Sequence, residues 1–297
     1  MASVYSQQSN NIQKTWILMF LFVGIVSSLC YGFSYYYHNY FFAIAGVVVS
    51  LGQCLVSYFA GDKIALASAG AKQIEYVDSP QIFEMTQNLS KIAGIPCPKI
   101  HISDDPSPNA FACGRDPANA SICLNQGILD LLDKNQLEGV IAHELSHIKN
   151  RDILIMTTTM VLSSVISFLA DMGIRSMMWG GGRQDEDDEG KNPIFMVLGI
   201  VALILAPILA AIITMAVSRE REFLADATAV TMTRYPKGLS DALLKLHNDP
   251  TPTSHYSSAM NHFYISEPKK TFGEKAMNLF STHPNVQERV EALNKMG

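Results

Sequence analysis

The sequence predicts a mainly α-helical membrane protein in which four transmembrane helices carry a cytoplasmic α+β domain. The first observation is composition: 48% of the residues are hydrophobic and only 16% are charged, whereas soluble domains carry about 25% charged residues. The second is a set of four long, uncharged apolar segments, and the third is a pair of polar stretches that alternate with them. The net charge of −5 comes without a cluster of basic residues, so no nucleic-acid partner is expected.

The four apolar segments are predicted to cross the membrane as helices. They cover residues 16–37, 40–60, 153–170 and 193–217. About 20 apolar residues in a helix span a hydrocarbon core of about 30 Å. The first two segments are almost contiguous and therefore form a hairpin, and the first is too long for a cleaved signal peptide. The third is shorter and rich in Ser and Thr, which membrane helices tolerate when the hydroxyl binds the backbone.

These segments divide the chain into five parts. The parts are an N-terminal segment 1–14, a transmembrane hairpin 15–60, a first lobe 61–152, a second pair of transmembrane helices 153–217 with an acidic loop at 171–192, and a second lobe 218–297. Four crossings put the N-terminus and both lobes on one side of the membrane. Lys and Arg residues crowd the segment ends on that side, so the positive-inside rule places both lobes in the cytoplasm.

The first lobe mixes helix and strand patterns, whereas the second lobe is mostly helical. The predicted elements are a helix over 81–93, a strand over 99–103, a hairpin of 110–113 with 121–124, and a final helix over 284–293. Gly94 is expected to end the first helix, because glycine readily adopts the left-handed conformation of a helix C-terminus. Pro284 is expected in the first turn of the last helix, where no backbone donor is needed.

His143, Glu144 and His147 form an HExxH motif. The motif requires a helix, because only there do residues four apart point the same way. Asp133 and Gln136 have the spacing of a capping box, and an apolar stripe follows them, so a helix is predicted. The two imidazoles can then bind one Zn²⁺, and Glu144 can reach a water at the metal without being a ligand. The alternative is two ordinary histidines on the polar flank of an amphipathic helix.

A zinc ion needs a third protein ligand, and Glu222 is the candidate. His147 lies shortly before the third apolar segment, and Glu222 lies at a similar distance in residues after the fourth. If both membrane helices continue beyond the lipid, the two side chains lie roughly 8–9 Å from the same membrane face. Asp226 lies one turn beyond Glu222 and can accept a hydrogen bond from a ligating histidine. Glu220 is the rival ligand, but it shares no helix face with Asp226, which favours Glu222.

Together these residues resemble the HtpX family of membrane metalloproteases, which are relatives of the Ste24/CAAX-type zinc peptidases. The resemblance rests on residues 143–147, 218–226, 109–112, 125–129 and 279–284 and extends over nearly the whole chain. It implies a zincin-like catalytic domain of the gluzincin type. It also implies one zinc ion per chain bound by His143, His147 and Glu222, with Glu144 as the catalytic base.

The resemblance has further implications for substrate and location. It implies that Asn109, Ala110, Phe111 and Ala112 belong to a substrate-binding edge strand, and that His283 lies near the catalytic centre. It also implies a multi-pass endopeptidase of the bacterial inner (plasma) membrane. Its substrates would be unfolded, misfolded or damaged membrane proteins, cleaved in stress-related quality control.

Two other classes of function are alternatives to hydrolysis. A transporter or channel is disfavoured, because the four apolar segments contain no ionisable residue and transport pathways usually need them. The second alternative is a zinc-binding membrane scaffold or chaperone without hydrolysis. The presence of Glu144 in the motif argues against that alternative.

Overall fold

The computed structural model describes residues 4–179, 219–254, 264–265 and 284–297, and this part of the chain is mostly helical. The helices are α1 (Val4–Tyr36), α2 (Phe41–Ser68), α3 (Pro80–Ala93), α4 (Gln126–Leu131), α5 (Lys134–Lys149), α6 (Asp152–Trp179), α7 (Arg219–Thr233), α8 (Pro236–Asn248) and α9 (Val286–Asn294). The strands are β1 (Ala71–Gln73), β2 (Lys99–Ser103), β3 (Ala110–Gly114) and β4 (Ala120–Asn125). The predicted mainly helical class is confirmed. The predicted fourth apolar segment, 193–217, and His283 lie outside the described residues.

Two of the described helices are long and apolar enough to cross a membrane, at Gln8–Tyr36 and Phe41–Ser68. They are the first two predicted segments, and α1 packs against α2 as the predicted hairpin. Large apolar side chains such as Phe20 and Phe59 are exposed on them, as expected for a surface that faces lipid. A shorter apolar helix, Asp152–Val165, forms the start of α6 and packs against both.

Two helix ends differ from the predicted boundaries. The helix α2 runs to Ser68, past the predicted end of the second apolar segment at residue 60. The helix α6 is described as far as Trp179, so the predicted loop 171–192 begins within a helix. Apolar composition marks the part of a helix that lipid can cover, but helical hydrogen bonding continues into polar residues beyond it.

The strands form one sheet with the order β1-β2-β4-β3, so β3 lies at one end of it. The strand over 99–103 is confirmed, and β3 pairs with β4 in the antiparallel hairpin that the turn residues predict. The parallel pairing of β2 with β4 brings this hairpin beside β2. The strand β1 was not predicted, because three largely exposed residues carry no alternating pattern.

Three helix ends test the predictions made from capping patterns, and two of these predictions are confirmed. The helix α3 ends at Gly94, which is left-handed with φ 72°, as predicted. The capping box of α5 is also confirmed, because Asp133 accepts from the backbone of Gln136 and the Gln136 side chain accepts from the backbone of Asp133. The prediction for the last helix was wrong: Asn285 caps α9 by accepting from Gln287 N–H, so Pro284 lies before the helix.

The helix α5 lies in the core, between the sheet and the helices α7 and α8. Its apolar residues Val140, Ile141 and Leu145 are fully buried. At Gly139 the backbone of α8 comes so close that an added Cβ would lie 2.7 Å from the backbone nitrogen of Leu239. The packing of α5 therefore depends on a residue without a side chain at this position.

The helices α5 and α6 are separate, which differs from the expectation that one helix continues from His147 into the membrane. The break lies at Asn150 and Arg151, and Arg151 has the left-handed value φ 59°. Because L-residues seldom adopt this conformation, the turn is held by its surroundings rather than by local preference.

We expect Gly139→Ala to lower the stability of the detergent-solubilised protein by about 1–3 kcal/mol, because the new methyl overpacks the contact with Leu239. At about 2–4 °C per kcal/mol, the thermal midpoint should fall by several degrees. The matched control is Gly52→Ala in α2, where no described atom lies within 4 Å of an added Cβ. Equal midpoints for the two variants would contradict this account of the packing.

Candidate metal centre

His143, His147 and Glu222 converge on one point in the interior of the polar domain. The Nε2 atoms of the two histidines are 3.1 Å apart. The Glu222 carboxylate lies 3.8 Å from Nε2 of His143 and 3.6 Å from Nε2 of His147. Ligands of a tetrahedral zinc ion, at about 2.0–2.1 Å from the metal, are about 3.3 Å from one another. The distances, the burial and the donor set therefore fit a single zinc-sized cation.

Each imidazole is oriented by a carboxylate on its other nitrogen. Nδ1 of His143 lies 2.9 Å from Oδ1 of Asp226, the partner expected from the sequence. Nδ1 of His147 lies 3.0 Å from Oδ2 of Asp152, which sequence reasoning missed. These contacts turn both Nε2 atoms toward Glu222, as metal-ligating histidines require. The only signal for Asp152 was a polar residue at the start of an apolar segment.

Arg289 of α9 joins the centre and was also missed. Its guanidinium makes two hydrogen bonds to Asp226, at 2.8 and 2.7 Å, a paired geometry that is strong and directional. Its Nη1 lies 3.2 Å from Oε2 of Glu222, and the side chain is only 1% exposed. In the sequence, Arg289 lies four residues before the buried Leu293, on the face of α9 that packs inward. A charged residue on an inward face was the available signal.

Glu144 lies beside the converging groups and is 2% exposed. Burial raises its pKa to about 7, although the charges of His147 and Arg289 lower it and the charge of Glu222 raises it further. A backbone hydrogen bond from Ala112 of β3 also favours the charged form. A carboxyl group poised near neutral pH can both accept and release a proton.

The two histidines differ in their charge environment. Burial lowers the pKa of His143, so this ring is held neutral, as a metal ligand must be. Burial alone would also lower the pKa of His147, but the hydrogen bond to Asp152 and the charges of nearby carboxylates raise it to about 9. The raised pKa means that the metal-free His147 ring holds a second proton. A bound cation would replace that proton, because a metal ligand must be a neutral imidazole with a free nitrogen.

Of the expected substrate-binding residues, Ala110, Phe111 and Ala112 lie in β3, the strand at the end of the described sheet, and Asn109 directly precedes it. All four are buried. The carbonyl of Asn109 accepts from the N–H of Asn125, which follows from the antiparallel register of β3 and β4. Because hydrogen-bonded and non-hydrogen-bonded pairs alternate, the backbone groups of Ala110 and Ala112 point away from β4. The carbonyl of Ala110 accepts from the Ile265 N–H at 3.2 Å.

The other groups along β3 have partners within the chain. The N–H of Gly114 donates to Oγ1 of Thr157 in α6 at 3.1 Å. The side chain of Phe111 is fully buried and packs edge-on against Tyr264, with ring centroids 5.8 Å apart. Of the expected set, Ala112 is thus the residue whose backbone contacts Glu144, whereas Phe111 is a core residue.

Comparisons with known proteins match the chain to peptidases. The sequence model of Peptidase family M48 matches residues 77–297. A "Protease HtpX homolog" of Tropheryma whipplei (strain Twist) is 39% identical over 99% of this chain and 99% of its own length. The "Protease HtpX homolog" of Streptococcus gordonii (strain Challis) is 37% identical over 99% of this chain and 100% of its own length.

A similarity of fold extends to a solved structure. The crystal structure of S. mikatae Ste24p has a TM-score of 0.51 with 18% sequence identity, and the match covers 98% of this chain and 67% of that chain. At this identity the match shows the fold alone. With the sequence matches, it confirms the resemblance that the motifs indicate.

We expect Glu222→Ala to abolish stoichiometric metal binding, because it removes one of three converging donors. Affinity should fall more than about 100-fold, since loss of an outer hydrogen-bond partner alone costs about 10–100-fold. The measurement is metal analysis after chelation and reloading with zinc. Glu220→Ala, which truncates an exposed carboxylate on the same helix, is the matched control and should keep one zinc per chain. Retained zinc in Glu222→Ala would contradict the assignment.

Proposed function

We propose that this chain, which belongs to peptidase family M48 and is a membrane metalloprotease, uses zinc to hydrolyse internal peptide bonds of misfolded or damaged membrane proteins. The observation that carries the proposal is the convergence of His143, His147 and Glu222, with Glu144 buried beside them. Two histidines, a third ligand from another helix and a carboxylate that is not a ligand are the parts of a hydrolytic zinc site.

In this proposal His143, His147 and Glu222 hold the metal. When bound, zinc lowers the pKa of water at the site and polarises the carbonyl of the scissile peptide. Glu144 then takes a proton from the attacking water and delivers it to the leaving amine. Without the metal, burial raises the pKa of Glu144 to about 7, so this carboxyl group is able to accept and to release a proton near neutral pH.

The surrounding residues keep these groups in place. Asp226, itself held by Arg289, orients His143, and Asp152 orients His147. Their burial excludes water from the charged cluster and strengthens the electrostatic interactions within it. We assign Asp226 this orienting role and place His283 near the catalytic centre, as the family resemblance implies.

The substrate is proposed to bind in extended form along the outer edge of β3. The Ala112 N–H already donates to Glu144, and the outward backbone groups of Ala110 and Gly114 also have partners in the chain. The substrate would therefore pair with the carbonyl of Ala112. Pairing of this kind recognises the backbone of the substrate more than its side chains. Recognition of the backbone suits a protease that cleaves damaged proteins of varied sequence. Asn109, which directly precedes β3, is the remaining residue of the proposed substrate-binding segment 109–112.

The α1–α2 hairpin is proposed to anchor the catalytic domain at the bacterial inner membrane. With the apolar segments at 153–170 and 193–217 it would make four crossings and leave both lobes in the cytoplasm, as the basic residues near the segment ends indicate. This location brings the zinc site close to the lipid surface from which damaged membrane proteins would be extracted. Stress-related quality control is the role that such a protease would serve.

We expect Glu144→Gln to lower the cleavage of casein or another unfolded substrate by about 10²–10⁴-fold, because the amide cannot accept the proton of the attacking water. Zinc content should be unchanged, since Glu144 is not a ligand. Glu138→Gln, in the same helix and half-buried, is the matched control and should keep full activity. Full activity in zinc-loaded Glu144→Gln would contradict the base assignment. A wild-type protein with one zinc and no cleavage of any unfolded substrate would favour the scaffold or chaperone alternative.

We expect Ala112→Pro to raise KM for an unfolded substrate up to about 10-fold, because the proline ring displaces the Ala112 carbonyl, and the backbone hydrogen bond that this carbonyl would make with the substrate contributes about 0.5–1.5 kcal/mol. Zinc content should be unchanged. The substitution also removes the hydrogen bond from Ala112 to Glu144, so a fall in kcat is expected as well. Loss of the hydrogen bond to Glu144 is expected to change kcat, whereas weaker pairing of the substrate with β3 is expected to change KM. The change in KM is therefore the test of the proposed substrate position. An unchanged KM would contradict the edge-strand arrangement.

A further inference from the structure

The first helix reaches the metal centre from outside the catalytic domain. Before its apolar part, Gln8 of α1 donates to the backbone carbonyl of Lys149, the last residue of the HExxH helix, at 2.7 Å. Asn11 donates to the carbonyl of Asn150 at 3.2 Å and to Oδ1 of Asp152 at 2.6 Å. The side chain of Asn11 is 3% exposed, although it lies on a helix whose apolar part faces lipid.

The contact continues to the proposed metal ligands through a single carboxylate. Oδ1 of Asp152 accepts from Asn11, and Oδ2 lies 3.0 Å from Nδ1 of His147. The opposite nitrogen of that ring, Nε2, faces His143 and Glu222. Contacts on both oxygens restrict rotation of the carboxylate, so the hydrogen bond from Asn11 helps to keep the other oxygen directed at His147. Only one side chain therefore separates α1 from the ring that would bind the metal.

The same contacts hold the turn between α5 and α6. Arg151 is left-handed there, with φ 59°, and Asp152 follows it directly. A turn of this kind needs support from its surroundings. The carbonyls of Lys149 and Asn150 receive that support from Gln8 and Asn11. The charge of Arg221 on α7 also acts on Asp152, so the carboxylate is surrounded by α1, α7 and the turn itself.

We propose that Asn11 is a positioning residue of the metal centre, which sets the orientation of His147 by holding Asp152. The inference rests on the proposed zinc site and adds to it a residue from the membrane hairpin. Asn11 lies well before residues 77–297, the part of the chain that matches the peptidase family. The metal centre is thus completed by the first membrane helix, and the catalytic domain alone does not contain all of it.

The test uses the full-length, detergent-solubilised protein and two measurements that do not depend on activity. Zinc affinity is measured by competition with a chelator, and the geometry of the ligands is read from the absorption spectrum after substitution with Co²⁺. We expect Asn11→Ala to weaken zinc binding about 10–100-fold and to alter the Co²⁺ spectrum. Asn10→Ala removes the same side chain from an exposed neighbouring position and should match wild type in both.

A second control separates positioning from general packing. Thr15 lies one turn further along the buried face of α1 and donates to the carbonyl of Asn11, and among the described residues it has no hydrogen bond to Asp152. Thr15→Val should lower the thermal midpoint and leave zinc affinity unchanged. If Thr15→Val weakens zinc binding as much as Asn11→Ala, the effect is general packing and the proposal is overturned.

A double-mutant cycle tests the route through Asp152. Asp152→Asn should weaken zinc binding by itself, and adding Asn11→Ala should weaken it little further, because both changes act on the same contact. Additive losses would overturn the proposal. If Asn11→Ala does not fold, Asn11→Leu keeps a similar volume and cannot donate to Asp152, so its zinc affinity should fall by a similar factor. If either variant at position 11 binds zinc as tightly as the wild-type protein, the role of Asn11 is overturned but the proposed function is not. If the wild-type protein binds no zinc, the proposed function itself is overturned.

Discussion

The burial of a dense cluster of charges at the junction of α5, α7 and α9 is the constraint on which the rest of the structure depends. Glu144, Asp152, Glu222 and Asp226 are each at most 6% exposed. A carboxylate that is buried without a partner costs several kcal/mol, so each of them needs a positive charge or a donor nearby. Arg289 supplies two hydrogen bonds and an ion pair, and the imidazoles and a divalent cation would supply the rest.

This constraint explains why so many elements meet at one point. The helix α5 provides the two histidines and Glu144, α7 provides Glu222 and Asp226, and α9 closes the site with Arg289. The start of α6 and the N-terminal part of α1 complete the surroundings of His147. Because the cluster is satisfied only when all of these are in place, membrane hairpin and catalytic domain are parts of one arrangement rather than an anchor and an independent enzyme.

Local sequence patterns predicted the elements whose causes are local. The capping box at Asp133 and the left-handed Gly94 follow from side chains and backbone within one or two turns, and both are present in the structure. The hairpin of β3 and β4 follows from turn residues in the same way. The break at Arg151 could not be predicted, because nothing in the residue itself favours a left-handed conformation. The contacts of α1 with Asn150 and Asp152 hold that turn, and these residues are far apart in the chain.

The sequence by itself determined which side chains could hold a metal. Four-residue spacing puts His143 and His147 on one face of a helix, and the same rule puts Glu222 and Asp226 on one face of another. Only the tertiary structure decided which distant groups support them. The partners of Asn11, Asp152 and Arg289 lie on other helices. The spacing of residues within one helix does not indicate which residue of another helix will be the partner. The physical reason is that helical spacing is set by local hydrogen bonds, whereas the partner of a buried charge is set by packing.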